Sequence, residues 1–216
     1  MNYIAEVTAE AATGEVAHLY EQIRRLSGGP LVTLIYRHLA TYPGALRAVW
    51  QSVSPLLECG ELQEGAWKIA CDACNDVVPN PTADLRALGA AELERAGNVL
   101  DAYNRANPVN YAVVCSISAA RTGDTSHNAA KTRLGNWIPP VSIPPIAPIP
   151  NMDALDAHSR ALVDSFGKGA GQGGAVLVPT LYRNIAYWPP MLELAVREVK
   201  PRLAHGAFNY KGFMRE

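Results

Sequence analysis

Leu31-Val32-Thr33-Leu34-Ile35-Tyr36-Arg37-His38-Leu39-Ala40-Thr41-Tyr42-Pro43 is written a second time, with changes, as Leu177-Val178-Pro179-Thr180-Leu181-Tyr182-Arg183-Asn184-Ile185-Ala186-Tyr187-Trp188-Pro189. A shift of 146 residues overlays 31–57 on 177–203 without a gap. Ten of 27 positions then agree: Leu31/Leu177, Val32/Val178, Tyr36/Tyr182, Arg37/Arg183, Ala40/Ala186, Pro43/Pro189, Leu46/Leu192, Val53/Val199, Pro55/Pro201 and Leu57/Leu203. Unrelated segments of this length match at about two positions, so a duplicated unit is expected. The shared Tyr-Arg-x-x-Ala-x-x-Pro pattern reads first as packing, with the Arg paired to a partner because a half-buried guanidinium demands one. His38 faces Asn184 in this overlay, which reads as a tolerant position.

Outward from the repeat, the apolar period is helical. Val16, Leu19, Tyr20, Ile23 and Leu26 form one stripe over 15–26, with Thr13 placed as a cap. Ser27-Gly28-Gly29-Pro30 breaks that helix, and Pro30 suits the first turn of a second over 31–41. Pro43 opens a third, with Leu46, Val49, Trp50, Val53 and Leu57 in register. Helices are expected at about 61–78, 83–88, 90–105 and 109–121, split by Pro79, Pro81 and Pro108, and in the second copy at 175–187 and 189–203. The fold class is all-α: a tandem duplicated helical bundle whose second copy is shortened at the C-terminus. Copy one runs to 136, so its counterpart would reach 282; the chain has 216 residues. Apolar surface left over by a short second copy leads to the expectation of a homodimer.

Between the copies, 139–150 holds Pro139, Pro140, Pro144, Pro145, Pro148 and Pro150. Each proline removes a backbone donor, so an extended connector of polyproline character follows. Ile143, Ile146 and Ile149 suit it to lie as a strap on the surface. The expected organisation is a first repeat over 1–137, a linker over 138–150 and a partial second repeat over 151–216.

Composition narrows the function classes. Lys plus Arg number 19 and Asp plus Glu 20, a net charge of −1, which supplies no field for nucleic acid or an anionic membrane. Apolar residues make up 49% and charged residues 18%, excluding intrinsic disorder. No apolar run of membrane-spanning length occurs and Met1–Glu6 lacks the layout of a secretion signal, so a cytoplasmic protein is expected. His18, His38, His127, His158 and His205 form no pair at metal-binding spacing, and no metal or other cofactor is expected. Gly167, Gly169, Gly171, Gly173 and Gly174 lack the Lys-Ser/Thr ending of a phosphate loop and read as a flexible connection.

Two groups could carry chemistry. Cys71-Asp72-Ala73-Cys74 has the spacing of a redox motif. In helical peroxidase-reductases of the AhpD-like sort, a His follows the second Cys; Asn75 stands there instead, and two half-buried core thiols are the plainer reading. The other group is Asp101-x-x-Asn104-x-x-Asn107-Pro108, where Pro108 is expected to push Asn107 out of helical geometry. Its carboxamide could cap the next helix or point into a cavity between the copies, where it would hold a water or a carboxylate. Asp101 reads as a solvated surface carboxylate.

Gly14-Glu15…Tyr20-Glu21-x-Ile23-Arg24, Arg37-x-Leu39-Ala40-Thr41-Tyr42-Pro43 and Val99-Leu100-x-Ala102-Tyr103-Asn104-x-x-Asn107-Pro108 resemble the helical, stereochemically non-selective 2-haloacid dehalogenases of the DehI type. Ala186-Tyr187-Trp188-Pro189 is similar to the second-copy motif of that family. The resemblance implies an all-α tandem duplication with a site between the repeats, a small carboxylic acid as ligand, and a water that displaces halide directly from carbon 2. It implies that Asn107 assists that water. It places the family's activating Asp at Leu181, flanked by Thr180 and Tyr182. A leucine takes no proton, and hydroxyls ionise far above neutral, so the general base of that mechanism is missing. Leu31, Leu34, Thr180, Leu181 and Tyr182 are the candidate ligand contacts. Two other readings stand beside hydrolysis: a non-catalytic small-molecule binder, and a thiol peroxidase built on Cys71 and Cys74.

Overall fold

A computed structural model describes residues 3–75, 85, 88–122, 137–139, 142–170 and 174–204. These are predominantly helical, as the apolar period requires. The chain divides into two compact units: Ala5–Pro79 with Leu100–Ile146, and Met1–Ile4 with Asn80–Val99 and Ala147–Glu216. Among the described residues no helix is long and apolar enough to cross a membrane.

The first of these units is built on α1 (Gly14–Ser27), α2 (Leu34–Leu39), α3 (Ala45–Leu57), α4 (Glu61–Asn75) and the greater part of α5 (Ala90–Thr122). Its core gathers the stripes read from the sequence: Leu19, Tyr20, Ile23 and Leu26 of α1, Tyr36 of α2, Leu46, Trp50, Val53 and Leu57 of α3, and Val109 and Val113 of α5. The Tyr36 and Trp50 rings meet edge to face, 5.9 Å between centroids. Gly28, in the left-handed region at φ 72°, stops α1. Gly60, at φ 81°, lies so close beneath the Trp137 ring that a Cβ would overlap it. The fully buried Gln63 joins three helices: from α4, its Nε2 donates to Leu26 O at the end of α1 (2.8 Å) and to Leu57 O at the end of α3 (2.6 Å). Both are carbonyls that a helix terminus leaves without a partner in the helix.

Two expectations need correction here. The second helix is not 31–41 but the six residues Leu34–Leu39; Pro30 lies before an extended stretch in which Leu31 and Val32 are buried, with Thr33 as N-cap. The break expected at Pro108 does not occur, since α5 runs unbroken through it. A proline inside a helix costs about 3 kcal/mol by removing one backbone hydrogen bond and crowding the turn before it. Ala102, Ala106, Val109 and Val113, all buried on both sides of the proline, offset that cost by packing. The helix expected over 83–88 lies mostly outside the described residues, as does the end of the 61–78 helix.

In the second unit, α6 (Ala157–Asp164) starts at Asp156, whose side chain accepts from Ser159 N at 3.0 Å. The glycine-rich stretch is not merely a flexible connection. Lys168–Ala170 (β1) and Ala175–Leu177 (β2) pair antiparallel, and Ile4 N donates to Val176 O. The helix expected over 175–187 is therefore a strand followed by the short α7 (Thr180–Ile185). Next come α8 (Pro189–Leu194), one π turn (Ala195–Val199) and α9 (Lys200–Ala204). Pro201 follows the π turn, a common way for a helical run to absorb an irregular residue. Phe166 stacks on Tyr182 at 3.6 Å between centroids, and Val163 and Leu192 are fully buried.

Helices α2 and α7 are each six residues long and start 146 residues apart, and both end on an alanine with ψ −16°. Residues 142–150 form neither helix nor strand. Replacing Gln63 by Leu keeps its volume and removes the donor to Leu26 O and Leu57 O. The expected loss is about 1–3 kcal/mol for each carbonyl left unsatisfied, read as a lower midpoint in urea unfolding; an unchanged midpoint would show that the three-helix tie contributes nothing.

Candidate functional site

The two Tyr-Arg pairs are alike in being buried. Tyr36 and Arg37 are buried on α2, as are Tyr182 and Arg183 on α7. Arg37 Nη2 forms an ion pair with Glu6 at 2.8 Å, which agrees with the paired-Arg reading. Arg183 is satisfied differently: its Nε and Nη2 both donate to Pro150 O, at 3.1 and 2.9 Å. Burial pushes the Tyr36 hydroxyl up to about 12, and Tyr20, whose OH donates to Val7 O at 2.8 Å, is raised to about 12 for the same reason.

The His38/Asn184 mismatch is not a sign of tolerance. His38 Nδ1 lies 2.8 Å from Ala5 O, and since a carbonyl only accepts, Nδ1 carries the proton. Asn184, wholly buried, donates from Nδ2 to Ala147 O at 3.2 Å. Both side chains do one job, bonding a backbone carbonyl of an extended segment. Sequence reasoning missed this because imidazole and carboxamide look unlike until their shared N–H donor is considered.

Of the candidate ligand contacts, Leu31 is buried and Leu34 half-buried in one unit; Thr180 and Tyr182 are buried and Leu181 half-buried in the other. Leu181 is the second residue of α7. Its flanking side chains are a hydroxyl and a phenol, and no carboxylate belongs to α7. Asn107 does not leave helical geometry: it is an interior residue of α5, and it is exposed, as are Asp101 and Asn104. An unbroken helix has no new N-terminus at Pro108, so the capping role expected for Asn107 does not apply. The carboxamide of α5 that does bond within its unit is Asn110, whose Nδ2 donates to Thr33 Oγ1 at 3.0 Å.

Cys71 is exposed on α4, contrary to the expectation of a half-buried core thiol. The side chain of Cys74 lies outside the described residues, so the redox pair cannot be placed. Cys59 and Cys115 are half-buried. Among the described residues no group of three or more His, Cys, Asp or Glu could hold a metal ion.

Trp188, just before Pro189, is the N-cap residue of α8. Its indole Nε1 donates to Glu92 Oε2 at 2.5 Å. That bond, with Arg95 as a second donor, holds the Glu92 carboxyl below its ordinary value. Nothing in the spacing of the sequence pointed to Glu92.

No family model matches the chain. It is 23% identical over 205 residues to a configuration-inverting 2-haloacid dehalogenase of Alcaligenes xylosoxydans xylosoxydans, covering 91% of this chain and 68% of that protein. It is 27% identical over 211 residues to another of the same description from Pseudomonas sp. (strain 113), covering 91% of this chain and 66% of that protein. The chain thus spans about two thirds of the length of these relatives. Among solved structures, a D-2-haloacid dehalogenase mutant in complex with D-2-CPA superposes with a TM-score of 0.71 at 20% identity, covering 93% of this chain and 71% of that one. A D-2-haloacid dehalogenase complex with L-LA gives 0.65 at 21% identity over the same shares. The fold is that of these helical dehalogenases.

Replacing Trp188 by Phe keeps a ring in the site and removes the indole donor. The Glu92 carboxyl is then expected to titrate closer to an ordinary glutamate, followed by carbon-detected NMR; an unmoved titration would mean the indole bond does not set it.

Proposed function

We propose that this chain is a 2-haloacid dehalogenase homologue of the DehI type, a tandem duplication whose ligands are small 2-haloacids. The observation that carries the reading is likeness to 2-haloacid dehalogenases over nine tenths of the chain, in sequence and in fold together. Support for the duplication comes from α2 and α7, with their common length, common termination and buried Tyr-Arg pair.

The reaction of this class is a substitution at carbon 2. A water oxygen forms its bond to carbon 2 as the carbon–halogen bond breaks, the pair of electrons leaves with the halide, and the water's proton goes to a base. Attack from the side opposite the halide inverts the carbon, in keeping with the description of the relatives as configuration-inverting. In this chain Asn107 is the carboxamide proposed to assist the water, and its exposure leaves both its N–H and C=O open to a ligand. At Leu181 the proton has no acceptor. A general base supplies typically about 10²–10⁴-fold in rate, so the chain as it stands is proposed to bind 2-haloacids and to turn them over poorly.

Halide release from D- and L-2-chloropropionate, measured for the wild-type chain and for Leu181→Asp, tests this reading. Wild type is expected to show a saturable rise in melting temperature with 2-chloropropionate and little halide. Leu181→Asp is expected to release halide at least about 100-fold faster, and Asn107→Ala in that background to reduce release. A chain that neither binds 2-chloropropionate nor gains activity from the aspartate is not a dehalogenase homologue in function. Brisk release by wild type would show that a base other than residue 181 serves.

A further inference from the structure

Helix α7 is six residues long, under two turns, and helices of that size do not hold their shape alone. What fixes it in its unit is a set of donors on its far side. Arg183 Nε and Nη2 reach Pro150 O, Asn184 Nδ2 reaches Ala147 O, and Tyr187 OH reaches Pro148 O at 3.0 Å. Three of the four residues of 147–150 are thereby held through backbone carbonyls alone.

The strap is suited to being held this way. Ile143, Ile146 and Ile149 are half-buried, while Ser142, Pro144, Pro145, Ala147 and Pro148 are exposed. That period of three is the period of a polyproline II helix, which makes no internal hydrogen bonds and leaves every carbonyl free for an outside donor. Two nitrogens of a guanidinium, a group shaped for the two oxygens of a carboxylate, here converge on one carbonyl oxygen. The first copy repeats the arrangement on a different segment. Arg37 pairs with Glu6, His38 bonds Ala5 O, and Val7 N donates to Arg37 O at 3.0 Å.

We propose that the Arg-(His/Asn) pair is a clamp for extended chain, and that Arg183, Asn184 and Tyr187 are positioning residues. Through the strap they set the orientation of the turn Thr180–Leu181–Tyr182. Leu181 and Tyr182 immediately precede Arg183 and Asn184 in a helix of under two turns, so pinning its last turn to the strap restrains the first turn as well. The consequence for ligands rests on the 2-haloacid reading; the clamp itself does not.

Two readouts on the full chain test the clamp: amide hydrogen–deuterium exchange of a peptide covering 180–187, and the 13C shifts of the Ala147, Pro148 and Pro150 carbonyls, which move upfield when a donor is lost. Tyr187→Phe removes one hydroxyl from an exposed side chain and leaves the packing in place. It is expected to move the Pro148 carbonyl upfield and to speed exchange over 180–187 about fivefold, the equivalent of one ordinary hydrogen bond. Arg183→Lys, which loses the fork, is expected to exceed that exchange effect, and Asn184→Ala to resemble it. A shifted strap carbonyl with α7 exchange unchanged, or no change in either, overturns the proposal. In the Leu181→Asp background, Tyr187→Phe is expected to lower kcat for halide release while leaving KM alone. Faster α7 exchange with unaltered kcat would overturn the positioning role. If Leu181→Asp releases no halide at all, the functional reading fails while the exchange result still decides the clamp.

Discussion

A guanidinium taken out of water must be paired or hydrogen bonded, and the fold answers that demand twice. Arg37 and Arg183 are 3% and 8% exposed. Neither helix carries an acid to satisfy its arginine, so each recruits an acceptor from a remote stretch of extended chain: Glu6 for Arg37, the Pro150 carbonyl for Arg183. Losing an acceptor beside a buried guanidinium is costly, which helps to fasten those segments in place. The apolar partners of the motif, Tyr36 against Trp50 and Tyr182 against Phe166, then surround each arginine's helix with packed rings.

Much of the helical architecture follows from periodicity. The stripe Leu19, Tyr20, Ile23, Leu26 and the register of Leu46, Trp50, Val53 and Leu57 in α3 are legible because amphipathic spacing and burial are the same fact seen at two levels. Reading was poorest at the prolines and glycines. Local chemistry makes Pro108 a breaker, yet Val109 and Val113 beside it belong to the core, and tertiary packing outweighs the lost hydrogen bond. Among the glycines a turn-rich composition hides an antiparallel pair of three-residue strands, Lys168–Ala170 and Ala175–Leu177, too short for alternation to register. In the proline-rich stretch the absence of helix was legible over 142–150, because prolines exclude one.

Of the candidate site, residue type was legible and placement was not. That the aliphatic side chain of Leu181 accepts no proton is read from residue type alone. Whether Asn107 faces inward depends on the phase of α5, and that phase is set by Ala102, Ala106, Val109 and Val113 together. Helix continuity through the proline puts the carboxamide on the exposed side. Asn184 was hidden for a different reason. Its role emerges only with the strap carbonyl beside it, and a backbone carbonyl leaves no trace in the identity of Ala147. Glu92 was hidden likewise, its partner Trp188 lying 96 residues away.

If the chain retains the ligand class of the dehalogenases it resembles while lacking their base, a 2-haloacid should rest against α7 without reacting. The direct measurement is bromine anomalous scattering from crystals soaked in D-2-bromopropionate. The account predicts an intact carbon–bromine bond, with the ligand in van der Waals contact, about 4 Å, with the Leu181 side chain. Bromine seated elsewhere on the molecule, or no bound ligand at concentrations that saturate the thermal shift, would contradict it.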